Sequence, residues 1–348
     1  MNGDRKLRVG VVGSGFGGIV HVPSFRAQGG FEVVAVASPS RAAEVARERK
    51  VPHAFASTRD MLDGVELDVV SVASPPFDHR ESVLLALERG KHVLCEKPFG
   101  LDVAHAEEML AASERAGTVC ALAHEFRFAP SRLAVKELIE NGHLGALREI
   151  EATTLLSFLR AERHDRKPGW WFEAARGGGI TGALLSHLID MANWLAGRAP
   201  LHSTGFGRTA NPVRTYEGGT FTSDAADGAF ALLDYGGGLV ARLTADGTAA
   251  VESTTLAVHG EDRAVAASGP DIVNATMFAI DDEETSELTL RPQKHANFAA
   301  LHPNVPMFVA LLDEFAAAIA GKPAHHLPSF ADGLATQRVL AAAGYPPP

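Results

Sequence analysis

Cysteine is almost missing from this chain: Cys95 and Cys120 are the only two in 348 residues. Both sit in apolar, strand-like runs, which excludes a disulfide framework and reads as two buried, reduced thiols. Runs of Lys or Arg are also missing, and 32 basic residues face 42 acidic ones for a formal net charge of −10, so a nucleic-acid partner is not expected. No apolar stretch reaches membrane-spanning length and Met1 to Lys6 has no targeting pattern, so the expectation is no membrane partner and a cytoplasmic location. The histidines are scattered without metal-ligand spacing, and no metal is expected. No repeat of 20–50 residues occurs, which excludes a solenoid. What the chain does have is apolar content, 46% of it, spread over a length greater than the roughly 250–300 residues at which a single core stops growing. Two domains are expected.

The most informative stretch is Leu7 to Gly18, L-R-V-G-V-V-G-S-G-F-G-G. Leu7, Val9, Val11 and Val12 read as a short buried strand, and Gly13, Gly15 and Gly18 follow at G-x-G-x-x-G spacing where a helix should begin. Gly13 would permit the tight turn, Gly15 would admit a pyrophosphate, and Gly18 would let the helix lie close on the strand, with Phe16 and Gly17 in the same phosphate-facing turn. A second strand, Glu32 to Ala37, ends at Ser38. An acid at that place would accept from the ribose 2′-hydroxyl of NAD, whereas Ser38, Ser40 and Arg41 offer donors to a 2′-phosphate, so NADP is favoured over NAD. The competing reading is that Ser40 only caps a helix from Arg41 to Lys50 and that Arg41 is a solvated charge.

Further alternation of strand and helix gives six strands of a parallel sheet: after the first two come Ala54-Phe55, Val69 to Ala73, His92 to Cys95, and Val119 to Ala123, with helices Glu81 to Arg89 and Asp102 to Ala116 between. Three strand ends carry unusual residues: Ser74-Pro75-Pro76 with His79, Glu96-Lys97-Pro98, and His124-Glu125-Phe126-Arg127. Ligands of such sheets bind outside the carboxyl ends of the strands, so these loops should line one crevice. Lys97, held between Glu96 and Pro98, could donate to a substrate oxygen and stabilise a developing alkoxide; the alternative is a surface pair with Glu96, from which it should point away in an extended segment.

Taken together, Gly13 to Gly18 with His21 and Pro23, Ser74-Pro75-Pro76 with His79, Glu96-Lys97-Pro98, Glu125-Phe126-Arg127-Phe128 with Pro130, and Gly177-Gly178-Gly179 before Ser186-His187-Leu188-Ile189-Asp190 closely resemble the glucose–fructose oxidoreductase, inositol dehydrogenase and rhizopine-catabolism family, Gfo/Idh/MocA. The resemblance implies an α/β chain with an N-terminal Rossmann domain and a C-terminal α+β domain built on a large, mainly antiparallel sheet. It also implies NAD(P)-dependent chemistry on sugars, polyols and related hydroxy compounds, in a homodimer or homotetramer assembled through that sheet. In the family the histidine corresponding to His187 is the acid–base that exchanges the substrate hydroxyl proton, assisted by an aspartate one turn earlier. This chain has Ala183 there, so that assistance does not carry over.

The domains are expected at 1–125 and 126–348, with the option that a C-terminal helix packs back on the first. A helix from Arg132 to Asn141 and a strand from Leu147 to Leu156 open the second domain. A polar loop from Ser157 to Arg176 holds Arg160, Arg163, His164, Arg166 and Lys167 and leads to Trp170-Trp171, which either offer an aromatic face to a sugar ring or cover the core. Arg127 and Asp190 are candidate substrate contacts beside the two tryptophans. The helix from Ala183 to Leu195 places His187 and Asp190 three residues apart on neighbouring positions. From Ala199 to Leu290, runs separated by glycine turns read as an antiparallel meander, with Asp281 to Glu287 a solvated loop. Helices from Pro303 to Ile319 and from Ser329 to Ala342 close the chain, and Tyr345 to Pro348 should fray. Three functions stay open: a dehydrogenase using Lys97 and His187, a nicotinamide-sensing regulator on the same fold, and an NAD-dependent glycosidase.

Overall fold

The computed structural model describes residues 5–346 apart from residues 164, 282 and 283. Its contacts divide the chain into two compact units, one made of residues 1–128 and 293–334 and the other of residues 129–292 and 335–348. The second unit is therefore not a continuous run to the C terminus, because a long segment near the end clusters with the first.

The first unit is built on β1 (Leu7–Val12), α1 (Val22–Gln28), β2 (Phe31–Ala37), α2 (Ala42–Glu48), β3 (His53–Phe55), α3 (Thr58–Gly64), β4 (Val69–Val72), α4 (Pro76–Glu88), β5 (His92–Cys95), α5 (Val103–Ala116) and β6 (Cys120–Leu122). The six strands run parallel in the order β3-β2-β1-β4-β5-β6, so the direction of winding reverses between β1 and β4, where the two strands pair side by side. That reversal opens a place for a ligand at the carboxyl ends of the strands. Their apolar runs are explained by burial: β4 is buried throughout.

Three local features differ from the sequence reading. Helix α3 had no apolar stripe to announce it, yet Ser57 caps it by accepting from the Asp60 N–H at 3.1 Å, a start signal that was legible. Ser40 does not cap α2; the flanking residue is Arg41, with no side-chain cap bond. Helix α4 begins at Pro76, so His79 stands in its first turn rather than in the preceding loop.

In the second unit, α6 (Pro130–Glu140) leads to β7 (Leu147–Leu155) and then to α7 (Ser186–Ala196). The strands β8 (His202–Arg208), β9 (Val213–Tyr216), β10 (Gly219–Thr222), β11 (Gly228–Gly236), β12 (Leu239–Asp246), β13 (Ser253–Gly260), β14 (Ala264–Gly269), β15 (Thr276–Ile280) and β16 (Thr285–Leu288) follow. Eight strands form one sheet in the order β16-β15-β14-β13-β7-β12-β11-β8, while β9 and β10 make a separate hairpin. The sheet is mainly antiparallel but not a simple meander: β7 inserts beside β12 in parallel and beside β13 in antiparallel. The expected solvated loop after Asp281 is corrected in part, since Thr285–Leu288 pairs on β15 as an edge strand. Residues 282 and 283 of that stretch, like the C-terminal residues 347 and 348, lie outside the described residues. Tyr345 does not fray; it is buried, and its hydroxyl donates to the Gly177 carbonyl at 3.2 Å.

Two closing helices, α8 (Val305–Ile319) and α9 (Phe330–Ala342), complete the chain. Helix α8 belongs to the first unit and packs on α1, where Asp313 accepts from Gln28 at 3.2 Å, and on the start of β2, where Phe315 stacks on Phe31 with ring centroids 6.3 Å apart. Ser329 extends the parallel sheet by bridging to Ala121, and the Leu122 N–H donates to the Pro328 carbonyl at 2.8 Å.

The turn after β1 depends on a glycine. Gly13 has φ +107°, and a Cβ there would stand 2.2 Å from the Ala73 carbonyl oxygen. Gly13→Ala therefore combines a strained backbone with overlap against a rigid strand end, and should lower stability by about 3 kcal/mol. Urea unfolding of the two proteins measures this, and an unshifted midpoint contradicts the strained-turn account.

Candidate active site

In the first unit the site is assembled at the carboxyl ends of β1, β4, β5 and β6. After β1 the chain makes one wide helical turn, Gly17–His21, before α1. A Cβ on Gly15 would meet nothing within 4 Å, so the backbone there faces open space. The sequence reading placed Gly18 against the strand, and the structure corrects this. A Cβ on Gly17 would touch Val11 at 3.0 Å, whereas one on Gly18 would touch Val45 of α2 at 3.2 Å. Gly17 allows the turn to lie on β1, and Gly18 allows α2 to approach. Phe16, half-buried, meets His21 and His302 edge-on at 5.7 and 6.2 Å. At the end of β2, Ser38 is buried and its hydroxyl donates to Ser14 Oγ at 3.1 Å. Arg41 is exposed and grips Glu44 through Nε at 3.1 Å and Nη2 at 2.8 Å.

The turns after β4 and β5 are tied together by His79. This fully buried imidazole places Nε2 2.8 Å from the Ser74 carbonyl and Nδ1 3.0 Å from the Pro98 carbonyl. Two carbonyl acceptors favour a doubly protonated ring, but burial is the larger influence and pushes the imidazole toward its neutral form. A neutral ring donates one N–H, to one of these two carbonyls.

Glu96 follows β5 directly, and the chain bends at Lys97-Pro98. Glu96 turns inward, accepting from His21 Nε2 at 3.0 Å and from the Lys97 N–H at 3.2 Å, while His21 Nδ1 meets the Ser71 hydroxyl at 2.7 Å. His21 is wholly buried under Phe308, its ring centroid 4.4 Å away. Burial pushes the Glu96 carboxyl up, but the His21 donor and the Lys97 ammonium outweigh it and hold the group below the usual carboxylate range. Lys97 is half-buried, and the Lys97–Pro98 peptide is cis. Burial pushes the thiol of Cys95 well up and that of Cys120 to about 11, so neither supplies a thiolate nucleophile near neutral pH.

Beyond β6, Glu125 is buried in a short turn, Glu125–Phe128. One of its carboxyl oxygens accepts from Asn304 Nδ2 at 3.1 Å. Burial first, and the Glu96 charge second, push its pKa up to about 8. Arg127 is also buried, its guanidinium 3.5 Å from both Asp332 and the His326 carbonyl, which gives it an internal role in this unit.

In the second unit, a wide turn Thr181–Leu185 precedes α7. His187 and Asp190 are both buried on that helix, whose residues from Ser186 to Leu195 are buried without exception. Ala183 stands in the wide turn, its N–H donating to the Gly179 carbonyl at 3.2 Å. Trp170 and Trp171 are half-buried. Trp171 meets Phe158 at 5.7 Å and Phe172 at 5.8 Å, and Phe172 continues to Phe221 at 5.0 Å, so Trp171 belongs to an aromatic cluster within the unit. Gly178 is required beside them, because a Cβ there would lie 2.5 Å from the Trp171 carbonyl oxygen. His164 lies outside the described residues.

Two family models match this chain. An oxidoreductase family with an NAD-binding Rossmann fold matches residues 7–124, and the GFO/IDH/MocA C-terminal domain matches residues 133–266. The chain belongs to the Gfo/Idh/MocA oxidoreductase family. It is 34% identical to an uncharacterized oxidoreductase of Synechocystis over 57% of this chain and 54% of that one, so the match spans about half of that relative's length. It is 27% identical to levoglucosan dehydrogenase of Pseudarthrobacter phenanthrenivorans over 75% of this chain and 73% of the relative. In fold it is similar to a levoglucosan dehydrogenase solved in complex with NADH, with a TM-score of 0.82, 23% identity, and coverage of 97% of this chain and 96% of the other.

The glycine turn and the strand ends were legible as chemistry-bearing sequence. His21 was noticed only through the resemblance, and Ser71 and Asn304 were missed. Ser71 is a hydroxyl within an otherwise apolar strand, V-V-S-V, and that irregularity was the available signal.

Replacing His21 with Leu would leave the buried Glu96 carboxylate without its side-chain donor. His21→Leu should cost about 3 kcal/mol at pH 7. Because Glu96 is depressed in the folded state, its stabilisation is present above the unfolded value of about 4.3 and disappears as pH falls through the folded value. Denaturant midpoints measured from pH 7 down to pH 3 should therefore converge for the two proteins, and parallel curves contradict the pairing.

Proposed function

We propose that this protein is an NAD(P)-dependent oxidoreductase that transfers hydride between the cofactor and a hydroxyl or carbonyl carbon of a sugar, polyol or related small hydroxy compound. The carrying observation is the set at the strand ends of the first unit: an open glycine turn, Ser74, Pro75, Pro76 and His79 at the next strand end, and Lys97 beside an inward-turned Glu96. The open space at Gly15 and the steric demand at Gly13 fit a dinucleotide, which supplies hydride acceptance or donation when bound. The turn from Gly13 to Gly18 would hold its phosphates on backbone N–H groups, and Pro98 and His79 would fix the loops that carry Lys97.

Lys97 is assigned to the reacting oxygen. Its ammonium donates a hydrogen bond there and offsets the negative charge that grows as the hydroxyl loses its proton. His187 is assigned to exchange that proton, without help from residue 183, which is alanine. Trp170, Trp171, Arg127 and Asp190 remain substrate-contact candidates of lower standing, because Trp171 and Arg127 have packing partners of their own. The named substrate of the levoglucosan dehydrogenase relative, an anhydrosugar, supports the sugar class.

For the cofactor, NADP is favoured over NAD because β2 ends in Ser38 rather than an acid. Arg41 pairs with Glu44, but an exposed pair of this kind is worth little and a 2′-phosphate would compete for the guanidinium. A second copy of the chain is the partner proposed for the large sheet, where Phe206 and Leu232 are 60% and 48% exposed on neighbouring strands. The two free thiols and the lack of any helix long and apolar enough to cross a membrane, among the described residues, support a cytoplasmic setting.

Lys97→Met should leave cofactor affinity within a few-fold while turnover falls by roughly two to four orders of magnitude, with His187→Ala falling less. Absorbance of the nicotinamide during turnover of sugars and polyols reads this; full activity in Lys97→Met removes the lysine from the chemistry. Release of an aglycone without net change in absorbance would identify a glycosidase instead.

Arg41→Ala should weaken NADPH about tenfold to a hundredfold while NADH is barely affected. Fluorescence titration of each cofactor decides it, and equal losses for the two would reduce Arg41 to a surface charge.

A further inference from the structure

Two glutamates end neighbouring strands in the first unit, and only one of them has a full set of donors. Strands β5 and β6 pair in parallel, and the Ala123 N–H donates to the Cys95 carbonyl at 2.8 Å, so Glu96-Lys97 and His124-Glu125 leave the sheet side by side. Both carboxyls are buried. Glu96 accepts from His21 and from the Lys97 N–H. Glu125 accepts from Asn304 through Oε1, while its Oε2 is buried with no hydrogen-bond partner among the described residues. An ionised carboxylate leaves that oxygen desolvated and undonated beside a second negative charge, and a proton on Oε2 removes both penalties.

We propose that Glu125 is a positioning residue for the charge of Lys97: a buried acid held neutral beside ionised Glu96, whose loss of a proton offsets the positive field that the lysine presents to a reacting oxygen. The functional consequence rests on the assignment of Lys97 to that oxygen. The electrostatic coupling does not. With Glu125 neutral, Glu96 is the one anion of this pair of strand-end carboxyls and is already engaged by His21. With Glu125 ionised, a second anion stabilises the ammonium, and the oxygen in front of it receives less of its field.

The titratable and charged groups of the segments packed here are few. The end of β5 brings Glu96 and Lys97, the turn before α1 brings His21, and the first turn of α4 brings His79. The turn that holds Glu125 brings His124 and Arg127, the latter set toward Asp332. The approach to α8 brings His302, which burial pushes toward its neutral form, and farther along that helix stand Asp313 and Glu314. The Lys97 charge first, then the Glu125 N–H and the Asn304 amide, favour the ionised acid, and together they oppose the larger influence of burial and the Glu96 charge.

The test uses the whole protein and Glu125→Gln, which keeps the shape of the protonated acid. Lys97 is labelled with an amine-selective acylating reagent between pH 7 and 11, and the modified peptide is followed by mass spectrometry. In Glu125→Gln the pH of half-maximal labelling should fall by about one unit, a tenfold rise in labelling rate at a fixed intermediate pH, because the neutralising anion can no longer form. Asn304→Leu, which removes a donor to the ionised acid, should move the midpoint in the same direction by less. Urea midpoints give an independent reading. The wild type should lose stability relative to Glu125→Gln as pH rises from 6 to 9.5, since an acid with a raised folded value binds more protons folded than unfolded over that span. An unmoved labelling midpoint in a folded Glu125→Gln protein, or identical pH dependence of stability in the two proteins, overturns the proposal. If labelling shifts while Lys97→Met retains turnover, the coupling holds and the assignment of the lysine to chemistry fails.

Discussion

The hydrogen bond from His21 to Glu96 is the constraint on which the site end of the first unit depends. It joins the turn after β1 to the end of β5, and through Ser71 it reaches into β4 between them. Burying a carboxylate is tolerable only when donors replace the lost water, and here a side chain and the Lys97 N–H supply them. Glu96 is therefore fixed inward, and the Lys97 backbone N–H is tied to its carboxyl. The backbone of the residue assigned to chemistry is thus held by the way its neighbour avoids an unpaired charge.

The same logic distributes charge around it. His79 spans the turns after β4 and β5 between two carbonyls, and Glu125 beside Glu96 has one bonded oxygen and one with no hydrogen-bond partner among the described residues. Like charges in a dry space cannot both ionise without penalty, and burial with the Glu96 charge pushes the Glu125 carboxyl up while His21 and Lys97 hold Glu96 down. Helix α8 closes this region by placing Phe308 on His21 and leading in through Asn304, which explains why residues late in the chain cluster with the first unit.

In the second unit the sheet is held by a different arrangement. Strand β7 lies between β12 and β13, and Asp227 is buried against Arg214 at 3.3 Å while accepting from the Ala210 and Asn211 N–H groups at 2.8 Å each. Helix α7 is buried along its length, so His187 is set in a rigid element rather than on a loop.

What the sequence determined by itself is local. Alternation of apolar strands with capped helices and the G-x-G-x-x-G spacing made the Rossmann unit legible, because strand burial and a positive φ at Gly13 restrict residue types over a few positions. Lys97, His79 and His187 stood out because their neighbours were unusual. Tertiary structure alone decided the rest. His21 and Glu96 are 75 positions apart, Asn304 and Glu125 are 179 apart, and no periodicity connects them. Whether Gly17 or Gly18 lies on the strand depended on a wide helical turn that no propensity encodes, and whether Glu125 is an acid or an anion depended on which buried donors the folded chain had left for it.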